Sequence, residues 1–128
     1  MKLITYLLAI ACVGLLISCE KENTVVTVPL PAQSVDIPDS AALGRECNYT
    51  IHSTLPNSCY WFYRLAQSSQ INEIDITVYA RYDTKDVCLQ VAGPIDIPGH
   101  FSFIERGTYF IHFWQTDTTT VDKTVIVY

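Results

Sequence analysis

Gly107-Thr108-Tyr109-Phe110-Ile111-His112-Phe113-Trp114 is the stretch that decides the fold. Tyr109, Ile111 and Phe113 recur at every second position, which is the period of a strand with one buried face and not the 3.6 period of a helix. Before it stand Phe101-Ser102-Phe103 and a turn around Glu105-Arg106-Gly107; after it Val121 to Tyr128 reads as strand again. Three successive strands joined by short turns predict a β-meander.

The same alternation extends upstream. Cys47, Tyr49 and Ile51 alternate with Asn48, Thr50 and His52, and Ile74, Ile76, Val78 and Ala80 alternate with Asp75, Thr77, Tyr79 and Arg81. The nearest approach to a helical pattern, Tyr63 to Ile71, is short and ends in Ser68-Ser69-Gln70, so helix is limited to one turn at most. The expectation is an all-β chain: an antiparallel β-sandwich of about seven strands occupying residues 41–128. Eight Lys and Arg stand against thirteen Asp and Glu, a net charge of -5. That balance cannot supply the basic footprint that phosphate backbones require, which argues against a nucleic-acid partner.

Met1 and Lys2 precede an apolar run from Leu3 to Ile17. A helix needs about 20 apolar residues to span the hydrocarbon core, so this shorter run reads as the apolar region of a secretory signal. Leu16-Ile17-Ser18-Cys19 at its end resembles the lipobox of bacterial lipoproteins. The resemblance implies that residues 1–18 are removed as a signal peptide, that Cys19 carries palmitate-type acyl chains, and that the protein is held at a membrane through its N-terminal lipid. Glu20-Lys21-Glu22 resembles the acidic export tags of Bacteroidota lipoproteins, which implies the outer membrane with the domain on the cell surface; a periplasm-facing orientation is the alternative. Residues 19–40 contain Pro29, Pro31 and Pro38, which prevent a helix, and read as a polar tether. Strand propensity in Thr24–Val28 and Ser34–Ile37 lets that tether merge into a first edge strand.

Phe101 to Phe113, with a Tyr following the turn Gly107, resembles the end of immunoglobulin-like domains, where such a Tyr fixes the corner between strands; here it is Tyr109. More narrowly, Pro56-Asn57-Ser58-Cys59, Asp86-Val87-Cys88, Gly107-Thr108-Tyr109 and Phe113-Trp114 look like a group of small Bacteroidota lipoproteins. That resemblance covers about residues 44 to 128, supports an immunoglobulin-like β-sandwich and implies no known activity.

With Cys12 in the signal and Cys19 acylated, Cys47, Cys59 and Cys88 are left in an oxidising compartment, enough for one disulfide. Cys59 and Cys88 sit at segment edges beside turn residues, while Cys47 shares the inward register of Tyr49 and Ile51. Pairing of Cys59 with Cys88 is therefore expected, with Cys47 to Cys59 as the rival.

No catalytic constellation assembles from the residues. His52, His100 and His112 stand on separate strands without metal-ligand spacing, so no metal site and no cofactor are expected. Ser58-Cys59 has no helix to activate a thiolate. Glu73, Asp75, Asp83 and Asp86 read as solvated turn charges, with a weak calcium site as the alternative. Tyr60-Trp61-Phe62-Tyr63 cannot bury all four rings on one strand face, and Phe110 and Trp114 take the outward register of their strand. Trp61, Tyr63, Phe110 and Trp114 are thus candidate binding residues for a protein or glycan partner if their stripes adjoin. The expected function is a non-enzymatic, membrane-anchored envelope module for binding or structure; the alternative is a small domain resembling bacterial protease inhibitors.

Overall fold

A computed structural model describes residues 22–128. The expected signal peptide, the expected lipidation site Cys19 and the start of the expected tether lie outside the described residues. Nine strands follow in order: β1 (Val25–Leu30), β2 (Ser34–Asp36), β3 (Ser40–Ala41), β4 (Glu46–Leu55), β5 (Trp61–Gln70), β6 (Glu73–Asp83), β7 (Gly93–Ser102), β8 (Gly107–Thr116) and β9 (Thr119–Val127). They form two sheets, one ordered β1-β6-β8-β9-β3 with β5 on the other edge of β6, the other ordered β2-β4-β7. The all-β sandwich read from the sequence is therefore the fold. β2 and β3, at two or three residues each, raise the strand count above seven. Two pairings, β6 with β8 and β3 with β9, are parallel, so the larger sheet is mixed.

The alternating residues meet in one core. Ile74, Ile76, Val78 and Ala80 of β6 and Ile111 and Phe113 of β8 face Cys47, Tyr49 and Ile51 of β4 and Ile97 and Phe101 of β7, all buried. A chain of rings crosses between the sheets: Phe113 stands edge-on to Tyr49 at 5.4 Å, Tyr49 lies 5.0 Å from Phe101, Phe101 5.3 Å from Phe103, and Phe103 4.5 Å from Tyr109. These centroid spacings are those of favourable aromatic pairs. Tyr49 gains its place because its cross-strand partner is Gly99, where any Cβ would overlap the Tyr49 ring.

The meander expected from Phe101 to Tyr128 is not formed. β8 and β9 are a hairpin, but β7 pairs with β4 in the opposite sheet, and residues 103–106 carry the chain across the sandwich. Alternation reports which face of a strand is buried, not which sheet the strand joins. The crossing is fixed at its end by Tyr109, whose hydroxyl donates to the Glu105 carbonyl at 2.9 Å. That is the corner role implied by the resemblance to immunoglobulin-like domains.

Residues 25–40 carry β1, β2 and the start of β3, so the stretch takes the edge-strand course that its propensity allowed rather than hanging free, and the sandwich reaches back to Val25. β1 pairs antiparallel with Val78–Asp83 of β6, and its Leu30 is buried. The Pro31–Gln33 crossover is clasped by both sheets: the Ala32 amide donates to the Trp114 carbonyl, the Gln33 amide to the His52 carbonyl, and the buried Ser53 hydroxyl to the Pro31 carbonyl. Pro29 and Pro31 exclude helix, as expected, yet an edge strand tolerates them.

Candidate functional site

β6 gives the molecule two ends. At one, its C-terminal end, lie the start of β1, the 56–60 turn and the 84–92 loop, because Val25 pairs with Asp83, Trp61 with Arg81, and Gly93 with Leu55. At the other lie the β5–β6 turn at Ile71-Asn72 and the 103–106 crossing. Asn72 takes a positive φ of 59°, a conformation Asn accepts more readily than other side chains.

The four aromatics of residues 60–63 fall at the first end. Trp61 and Phe62 point to opposite sides of β5, but a bulge between Phe62 and Arg64 sets Tyr63 and Arg64 on the outer side together. Trp61, Phe62 and Tyr63 are all exposed, since β5 is an edge strand and the three-stranded sheet does not extend beneath it. Only Tyr60 packs against the core, with its ring 4.7 Å from Tyr82. The Arg81 guanidinium lies over the Tyr63 ring and that of Arg64 over Tyr79, 4.9 Å from its centroid. Such cation–π contacts hold the two cations flat against the sheet.

Phe110 and Trp114 do face outward from β8, as their register requires, but they do not join Trp61 and Tyr63 in one platform. Phe110 is level with Glu73 and Trp61 with Arg81, about 26 Å apart along β6 at about 3.3 Å per residue. Trp114 is half-buried at mid-height. Phe110 lies instead beside the β5–β6 turn, its amide donating to the Asn72 carbonyl.

Cys59 and Cys88 are bonded, and their Cα atoms lie 5.3 Å apart. Ser58 reinforces the link, its hydroxyl accepting from the Leu89 amide and its own amide donating to the Leu89 carbonyl. Cys47 is free and buried, and burial pushes its thiol above the ordinary value.

Each histidine faces an acid on a neighbouring strand. His52 lies between Asp36 and Asp96, with each ring nitrogen 2.6 Å from a carboxylate oxygen. His112 bonds Asp122 at 2.8 Å, and His100 stands 4.0 Å from Glu46. Two carboxylates at both ring nitrogens require both to donate, which is the imidazolium form. Asp36 and then Asp96 hold His52 above its ordinary range, and Asp122 does the same for His112. Because the folded value exceeds the unfolded one, the stabilisation from His52 is whole below about pH 6.5 and fades as pH rises through the folded value. Titration of His52 by NMR should give a midpoint above that of a free imidazole, and Asp96→Asn should lower it; a midpoint at or below the free value would contradict the bridge.

The acidic residues do not form one cluster. Glu73 and Asp75 stand at one end of β6, Asp83 and Asp86 at the other, where Asp83 accepts from the Lys85 amide and is held below the usual carboxylate range by that bond first. Among the described residues no group of three or more His, Cys, Asp or Glu is placed to hold a metal ion.

Sequence reasoning missed a cleft. Below Leu65 the inward positions of β5 are Gln67 and Ser69, opposite Ile76 and Ile74, and no strand of the smaller sheet covers them. Between them and β7 opens a cleft of about 530 Å³, floored by Ile74, Phe101 and Phe103 and walled by Gln70, Ser102 and Tyr109. Ile71 and Ile104 stand at its rim, 93% and 89% exposed. Its volume is that of a site for a small ligand or a few side chains. The signal was present in polar Gln67 and Ser69 at inward positions of a long strand, but it gains meaning only when β7 is known to be the edge of the smaller sheet.

These features define an all-β sandwich domain with a disulfide-braced end and an open inter-sheet cleft. Residues 49–125 match the family model described as the ORF11 beta-sandwich domain, and the chain belongs to that family. The match runs from within β4 to within β9. No curated protein and no solved structure matches the chain.

Proposed function

We propose that this protein is a membrane-anchored, non-enzymatic binding module of the bacterial envelope, held through lipid on Cys19 and carrying its partner site at the end of the sandwich remote from the anchor. One observation carries the reading: the chain enters the domain at the Val25 end of β1, whereas the cleft opens at the opposite end of β6. β6 has 11 residues, so the two are separated by about 30 Å. A tether at one end and an apolar-floored cleft at the other present the cleft away from the bilayer.

A protein segment suits this site better than a glycan. Its floor is largely aromatic and its rim is Ile71 and Ile104, both exposed. Pro94 and Pro98 of β7 pair with β4 yet have no N–H to give it, so positions of their parity turn toward the free edge. The edge is therefore interrupted at Pro94 and Pro98, which leave the Asp96 amide isolated between them, and it offers successive amides only at His100 and Ser102, beside the cleft. An extended partner strand would add there while its side chains fill the floor. A photo-crosslinking residue in place of Ile104 should trap one partner in intact cells, an Ile71→Asp change should abolish the adduct, and the same residue in place of Ile126 on the outer face of β9 should give none. No adduct at Ile104, or equal adducts at both positions, would contradict the site.

A further inference from the structure

The end of the sandwich that receives the tether carries the opposite of what a soluble loop normally shows. Along the 84–92 loop Val87 is 100% exposed, Leu89 72% and Val91 67%. Beside them Trp61 and Phe62 are exposed at the start of β5, two and three residues beyond the Cys59 that the disulfide ties to Cys88. Five large apolar side chains thus crowd one tip, on a loop that is braced by the disulfide and by the paired Ser58 and Leu89 bonds.

We propose that this tip is a second membrane contact: Val87, Leu89 and Val91 enter the interfacial region of the bilayer, with Trp61 and Phe62 at headgroup level. The occupant follows from where the chain enters the sandwich. Thr84 donates its amide to the Thr24 carbonyl, so the loop and the incoming chain are bonded to one another. From Cys19 to Val25 is six residues, a reach of about 21 Å at most. The tip therefore cannot leave the vicinity of acyl chains attached at Cys19, and it is the part of the domain closest to them. The Trp61 indole, an apolar body with an N–H edge, favours that depth, and Phe62 adds apolar area beside it. Charge is not the driving force: Arg81 and Lys85 are offset by Asp83 and Asp86, and Arg81 is already engaged with Thr27 and the Tyr63 ring. Contact is thus expected with zwitterionic lipid and to be insensitive to salt. A contact of this kind, added to the tether, fixes the sandwich upright and points the cleft outward.

The inference deepens the anchoring reading above, and the two can fail separately. The test uses the full chain, purified from membranes and reconstituted in phosphatidylcholine vesicles with brominated acyl chains. The sequence holds two tryptophans, so Trp114→Phe leaves Trp61 as the sole indole and Trp61→Phe leaves Trp114, read with excitation that spares tyrosine. Trp61 emission should fall about twofold with brominated lipid while Trp114 emission stays unchanged, because one ring lies at the interface and the other at mid-height. Val87→Asp with Leu89→Asp, both at exposed positions, should restore Trp61 emission. Equal quenching of both tryptophans, no quenching of Trp61, or quenching untouched by the two Asp changes would overturn the proposal. The mass of the N-terminal peptide reads acylation of Cys19 independently; if it is unmodified the lipid anchor fails, and quenching on mixing with vesicles still decides whether the tip binds lipid.

Discussion

Replacing Cys59 and Cys88 together with Ser should lower the unfolding free energy by about 3–4 kcal/mol, the loop-entropy value for a bridge spanning 29 residues. Small domains have only about 5–15 kcal/mol in all, so the loss is a large share of the total. The bridge lies outside the core and joins a turn to a loop, so the strand content seen by circular dichroism should remain that of the parent while the urea midpoint falls. A loss well below about 1 kcal/mol would mean that the Ser58 and Leu89 hydrogen bonds alone hold the loop to the turn in both states. Cys47→Ser offers the contrast: it leaves the bridge intact and places a hydroxyl in the core.

The second large effect lies in the ring chain between the sheets. Phe113 is fully buried and stands edge-on to Tyr49. Truncation to Ala should cost about 3–5 kcal/mol, combining lost apolar transfer with a cavity that the two packed sheets cannot collapse around. Three residues earlier on the same strand, Phe110 faces outward and is 46% exposed, so Phe110→Ala should change stability by less than about 1 kcal/mol. A larger loss at Phe110 than at Phe113 would mean that β8 presents its other face to the core, since a one-residue slip exchanges the two faces.

The inward sets of β4, β6 and β8 were legible because each is an uninterrupted run with period two, from Cys47 to Ile51, Ile74 to Ala80 and Tyr109 to Phe113. The disulfide was legible because Cys47 falls in such a run and the other two cysteines do not. Sheet membership was not. Nothing in Phe101-Ser102-Phe103 distinguishes a strand that pairs with β8 from one that crosses to pair with β4; only Tyr109 and the Glu105 carbonyl mark the corner. The bulge at Tyr63 was hidden for a related reason, since four adjacent aromatics give no alternation to break. The placement of Trp61, Phe110 and Trp114 depended on the parallel register of β6 and β8, a contact between segments far apart in the chain. The same dependence hid the cleft, which exists because the two sheets have six and three strands and so leave the underside of β5 uncovered. The prolines of residues 29–38 mark an extended, non-helical path, and an extended tether and an edge strand share that backbone conformation, so the sequence left both open and only the pairing of β1 with β6 decides for the strand.

The proposed anchor at Cys19 is what would give the sandwich its polarity, with a tip toward lipid and a cleft away from it. The direct measurement is metabolic labelling of cells producing the full chain with a palmitate analogue, beside a Cys19→Ala variant. Label should enter the parent protein and be absent from the variant, with the parent recovered in the membrane fraction. A parent protein that takes up no label, or a variant labelled as strongly as the parent, would contradict the anchor and with it the orientation of the cleft.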